Sequence, residues 1–180
     1  MSTATSSTSR SGVHGPFHGT HEYTDALDRR LAEEGADRLM TLSDTVLEYS
    51  RLMKRLVDEA KQPGFTADSW APLAELIDTQ NFMRVGNFKE VMDWDTYVAF
   101  LTNWAASSEW ESEFKRVTEA GNVVFLELEE HSRIGEFSNS VNSVSVYEFD
   151  ERGKITRIDV YLQMALPDPD MLASYEGVEI

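Results

Sequence analysis

The apolar positions of this chain change period near residue 80. Before that point they recur every three to four residues, the spacing of a helix with one buried face. Tyr23 to Leu39 reads as a short amphipathic helix, with Leu27 and Leu31 on one side and Gly35 as a weak point. Thr41 or Ser43 can cap a stronger helix, whose Val46, Tyr49, Met53, Leu56, Val57 and Ala60 fall on one stripe. Pro63-Gly64 ends it. Asp68 offers a third start, with Pro72 in the opening turn and Trp70, Leu73, Leu76 and Ile77 facing inward. Gln80 to Val85 then reads as a strand and Gly86-Asn87 as a turn. Asp93 or Asp95 opens one more helix, carrying Tyr97, Val98, Leu101, Trp104 and Ala105.

After Ser107-Ser108, alternation dominates. Trp110, Ser112 and Phe114 share one face of a strand, with Glu111, Glu113 and Lys115 on the other. Val123–Arg133, Phe137–Phe149 and Lys154–Gln163 read as long strands, punctuated by Gly135 and by the turn Asp150–Gly153. Helices followed by antiparallel hairpins, with one helix between strands, predict an α+β domain. Its sheet is strongly curved, mixed but mainly antiparallel, and wrapped around the N-terminal helices.

Composition narrows the picture. The 180 residues suffice for one domain with a real core, and 41% hydrophobic side chains exclude general disorder. The net charge is −16, and 14 of those negative charges fall beyond residue 66. Such a surface repels phosphate backbones, so neither nucleic acid nor an anionic membrane is expected as a partner. No apolar run approaches the ~20 residues that span a bilayer. The absence of cysteine excludes disulfides, iron–sulfur clusters and thiol catalysis. Residues 1–22 are rich in Ser, Thr and Gly and read as a flexible tail without the apolar centre of a secretory signal, so a cytoplasmic location is expected. His14, His18 and His21 lie in that tail. With no ordered frame around them they are expected to be incidental, and no metal is assigned. The expected layout is the tail 1–22, an extra helix 23–40, the main domain 41–166 and a C-terminal extension 167–180.

Four stretches carry a family likeness. They are DSWAPLAELID from Asp68, FMRVGNF followed by WDTYVAFL, EFKRVTEAGNVVFLELEEH, and VSVYEFDERGKITRIDVYLQ, the most specific. Together they resemble the nuclear transport factor 2-like superfamily, also called SnoaL-like or cystatin-like cone folds, over about residues 43–165. The resemblance implies a cone with a pocket between the concave sheet face and the helices, and a homodimer through the convex face. It also implies a lipophilic small molecule as ligand and no cofactor. Function does not follow from the fold, which hosts many chemistries.

The family's known chemistries fit these residues unevenly. The ketosteroid isomerase branch places a carboxylate base where this chain has Arg84 and a buried acid where it has Ser145. Arg84 instead suits an anionic or carbonyl oxygen, or equally pairs at its strand end with a surface carboxylate. The limonene-epoxide hydrolase branch needs an aspartate where Val160 stands, and Asp159 next door points to the opposite face. SnoaL-like cyclases use an aspartate or histidine base, and here Glu127, Glu129 and His131 share one strand face with Phe125. Leu126, Leu128 and Glu130 share the other face with Val124. If Phe125's face is concave, His131 and Glu129 form a proton-transfer pair in the pocket. If the leucines face inward, the pair lies outside. On the first parity the catalytic candidates are His131, Glu129 and Arg84. Glu127, Tyr147, Tyr49, Trp104, Phe125 and Ser145 are then the substrate-binding set, and Trp110 is core or pocket wall. The expected function is cofactor-free acid–base chemistry of isomerase, cyclase, dehydratase or hydrolase type on a lipophilic substrate. The alternative is a non-catalytic binding or dimeric assembly domain.

Overall fold

The computed structural model describes residues 40–164. The tail with its three histidines, the Tyr23–Leu39 helix and the extension from Pro167 lie outside the described residues. Helix α1 (Leu42–Glu59) opens at Thr41, whose hydroxyl accepts the Asp44 N–H at 3.2 Å while the Asp44 carboxylate accepts the Thr41 N–H at 2.8 Å. This reciprocal cap satisfies two backbone donors that the first helical turn leaves unpaired. The expected stripe is buried from Val46 to Val57.

Where a third helix is predicted, the chain makes a 3-10 turn (Ala67–Trp70) running into a single helical turn, α2 (Ala71–Ala74). Longer helix is prevented by the sheet. Ile77 bridges Ile155, the Ile155 N–H donates to Leu76 O, and the Asp78 N–H donates to Ile155 O, both at 3.0 Å. Backbone groups engaged in that way cannot also close helical hydrogen bonds. The first strand, β1 (Met83–Val85), starts three residues later than predicted, because the Asp78–Asn81 turn uses the intervening backbone. It returns through a short unforeseen strand, β2 (Val91–Met92), and Asp93 caps helix α3 (Trp94–Ala105) by accepting the Thr96 N–H at 2.9 Å.

Four long strands follow: β3 (Ser108–Ala120), β4 (Val123–Ile134), β5 (Phe137–Phe149) and β6 (Ile155–Met164). With β1 and β2 they form one open six-stranded sheet in the order β2-β1-β6-β5-β4-β3. The pairing of β1 with β6 is parallel and the rest is antiparallel. A bulge between Phe114 and Arg116 shifts β3 by one residue, so side chains beyond it exchange faces. The helices cover one face of this sheet. On β4 that face carries Val124, Leu126 and Leu128, each at most 5% exposed. Helices α1 and α3 present apolar stripes, and the strand meets them with leucine rather than glutamate, because burying an unpaired carboxylate costs far more than exposing it. The parity of β4 is thereby settled, with Phe125, Glu127, Glu129 and His131 on the outer face. Among the described residues, no helix is long and apolar enough to cross a membrane.

Candidate functional site

A cavity of about 260 Å³ opens between the two main helices and the inner face of the sheet. Five of the six strands contribute to it, by register. Arg84 lies beside Ile158 on the parallel β1–β6 pair, and Ser145 stands opposite both Leu126 and Val160, so all five point inward. Met53, Leu101, Leu128 and Ile158 make much of the wall apolar. Polar groups enter at a few points, the usual anatomy of a small-molecule site.

The polar groups are held by specific contacts. Tyr49 on α1 and Tyr97 on α3 meet hydroxyl to hydroxyl at 2.7 Å, both nearly fully buried. Tyr49 also packs edge-on against Tyr147, with ring centroids 5.5 Å apart. The Arg84 guanidinium lies 5.3 Å from the centre of the Tyr97 ring and 5.7 Å from that of Phe100, within cation–π range. Its Nη1 is 3.4 Å from Glu90 Oε1. Farther along the inner face of β4, Glu130 Oε2 accepts the Trp110 indole N–H at 2.8 Å, and Trp104 meets the Trp110 ring edge-on.

Burial pushes the Tyr49 phenol well above its ordinary value, and the neighbouring phenols of Tyr97 and Tyr147 add to the effect. Burial also raises Tyr97, against the opposing pull of the Arg84 charge, while the Glu130 charge pushes it up. Both hydroxyls therefore stay protonated at neutral pH and can donate a hydrogen bond. Tyr97 is thus acted on in opposite directions by the Arg84 cation and the Glu130 carboxylate.

Of the residues expected in a pocket, Arg84, Tyr49, Trp104, Ser145 and Tyr147 line this cavity. His131, Glu129, Glu127 and Phe125 do not, and the proton-transfer pair expected of His131 and Glu129 does not reach the cavity. On the outer face Glu127 forms a fork with Arg116. Lys115, 3.0 Å from Glu129, holds that carboxyl below its usual range, and Glu113 stands 3.5 Å from His131 Nε2. The structure supplies two residues that the sequence reading passed over, Glu130 and Tyr97. Glu130 had a signal, because it is the carboxylate that ends the apolar file Val124, Leu126 and Leu128. Tyr97 had none beyond its place on a buried helical stripe. Among the described residues, no three His, Cys, Asp or Glu side chains are grouped to hold a metal ion.

No protein-family model matches the sequence, and no curated protein does. Solved structures do resemble the fold. A candidate isomerase from Rhodopseudomonas palustris aligns with a TM-score of 0.53 and 14% identity over 67% of this chain and 90% of its own. A nuclear transport factor 2-like protein of unknown function from Cytophaga hutchinsonii aligns at 0.51 and 17% identity, over 76% and 98%. A candidate SnoaL-like polyketide cyclase from Mesorhizobium loti aligns at 0.50 and 15% identity, over 68% and 99%. At these identities the likeness shows the fold and no activity.

Proposed function

We propose that this chain, which has the nuclear transport factor 2-like fold, binds a small lipophilic molecule bearing an activated carbonyl in the cavity and moves a proton on it. One observation carries the reading. A single cavity with an apolar wall brings together a guanidinium, a buried pair of protonated phenols and a carboxylate. Arg84 and the Tyr49–Tyr97 pair are hydrogen-bond donors suited to an oxygen on which negative charge develops. Glu130 takes a proton from the carbon beside that carbonyl, leaving an enolate held by the donors. Return of the proton to the same or a conjugated carbon completes an exchange or an isomerisation with no net consumption of acid or base. The apolar wall lowers the local dielectric and strengthens each of these interactions.

Binding without chemistry is the second reading. What favours it is that Glu130 already accepts the Trp110 N–H, so its carboxylate has a structural task. Deuterium exchange separates the two. In D2O the α-protons of 2-tetralone are followed by proton NMR with and without the protein. The enzyme reading expects acceleration, a loss of about 100-fold or more in Glu130→Gln, and full retention in Glu129→Gln on the outer face. Saturable binding of the ketone with no accelerated exchange establishes the passive reading instead.

A further inference from the structure

The hairpin joining β1 to β2 holds a carboxylate against Arg84, the guanidinium that lines the cavity among the described residues. Glu90 Oε1 is 3.4 Å from Arg84 Nη1, and Glu90 Oε2 accepts the Phe88 N–H at 2.9 Å. The loop is closed by two backbone bonds, from Gly86 N–H to Glu90 O and from Lys89 N–H to Gly86 O, both at 2.9 Å. Lys89 adopts a left-handed backbone at φ 64° within it. Gly86 is buried beneath the ion pair. A Cβ there would lie 1.6 Å from Glu90 Oε1 and 2.7 Å from Arg84 Nη1. The space that any other residue would fill is thus the space the carboxylate occupies. The Arg84 side chain is 14% exposed and the Glu90 side chain 36%, so the pair is partly withdrawn from water and its charges are felt more strongly than on an open surface.

From this geometry we infer that Glu90 is a positioning and specificity residue: it neutralises Arg84 and aims it over Tyr97, so that the cavity accepts a neutral carbonyl rather than a carboxylate. The inference rests on the ligand-binding reading of the cavity and narrows its substrate class. A free guanidinium is a strong and often bidentate receptor for carboxylates. One already paired to Glu90 retains N–H donors for a carbonyl oxygen but no uncompensated charge for an anion. Glu130 stands on the same wall and adds a second negative charge. Among the described residues, the charged groups at this part of the cavity are Arg84, Glu90 and Glu130, which together carry a net negative charge. The overall charge of −16 acts in the same direction.

Two matched bicyclic probes test the inference by calorimetric titration, 2-acetonaphthone as the neutral ketone and 2-naphthoate as the anion. The wild-type chain is expected to bind the ketone more tightly. Glu90→Gln should shift the ketone-to-naphthoate affinity ratio by at least tenfold toward the anion, through tighter naphthoate binding and weaker ketone binding. A merely loosened pocket loses both ligands, so the gain for the anion is the discriminating sign. Gly86→Ala, whose methyl displaces the flexible end of Glu90, should move the ratio the same way. In an Arg84→Met background Glu90→Gln should move the ratio by much less, because the paired guanidinium it would release is gone. An unchanged ratio in Glu90→Gln with both probes still bound overturns the specificity inference and leaves the cavity reading standing. Binding of neither probe to the wild-type chain overturns both. The positioning itself is read without ligand, from rotation of the Arg84 guanidinium by nitrogen NMR: it should be slow in the wild type and fast in Glu90→Gln. Equal rates in the two overturn the positioning role.

Discussion

The Tyr49–Tyr97 contact ties α1 to α3 across the cavity through one buried hydrogen bond. Its energetics are asymmetric. A neutral hydrogen bond contributes about 1 kcal/mol net, whereas leaving one buried hydroxyl without its partner costs about 1–3 kcal/mol. Tyr49→Phe is therefore expected to lower stability to urea by about 1–3 kcal/mol. Tyr97→Phe in the same background should recover part of that loss, because the orphaned hydroxyl goes with it. Additive losses in the two single variants and the double variant would mean that the hydroxyls are not energetically coupled. Arg84 differs from the tyrosines in being held by a loop rather than by a core. Its aim depends on Glu90 and on the missing side chain of Gly86, two features that nothing in the local run of residues flags as chemistry.

Helix α1 brings Tyr49, Ser50 and Met53 to the cavity, so its stability bears directly on the site. Its start depends on the Thr41–Asp44 cap, reinforced by the Glu119 carboxylate accepting the Ser43 N–H at 2.9 Å from β3. Thr41→Ala should cost about 1 kcal/mol in a denaturant titration. A loss below a few tenths of a kcal/mol would show that Glu119 satisfies the helix start by itself. The strands set the site by parity. On β4 the neighbours Glu129 and Glu130 part by parity, Glu129 facing Lys115 outside and Glu130 facing Trp110 inside. The alternation itself was legible in the sequence, and so were the long strands, the turns, and the caps to within a pair of candidates each, of which Thr41 and Asp93 serve. Which face was inner was not legible, because a strand carrying leucines on one side and Glu-Glu-His on the other fits both a solvated outer face and a polar pocket. Contact with the apolar stripes of α1 and α3 resolves it. The bulge in β3 was equally hidden, since it depends on how two strands pair and not on either strand alone.

For the whole molecule the buried phenols predict alkaline lability. Burial raises Tyr49 and Tyr97 above the ordinary phenol value near 10 that an unfolded chain shows. A folded-state value above the unfolded one means that the neutral form stabilises the fold. That contribution is fully present below about pH 10 and is lost as pH rises through the folded-state values. Absorbance of tyrosinate should thus develop in two stages. The later stage, from Tyr49 and Tyr97, should coincide with loss of far-ultraviolet circular dichroism. If all tyrosines titrate near pH 10 with the secondary structure intact, the phenol pair is open to solvent. The same protection keeps both hydroxyls as donors through the neutral range, where the proposed chemistry operates.

Local patterning was enough to identify an α+β chain with a curved, mainly antiparallel sheet, because helix and strand periods, caps and turn residues act over a few residues. Patterning together with the family likeness nominated Arg84, Tyr49, Trp104, Ser145 and Tyr147, which line the cavity. Tertiary structure alone decided that Glu130 enters the cavity and that Glu129 and His131 do not. It also decided that Tyr97 meets Tyr49. Each of those outcomes is set by which surface packs against which. Packing of this kind is a long-range property, in which burial free energy chooses between two faces that the local sequence leaves equally possible.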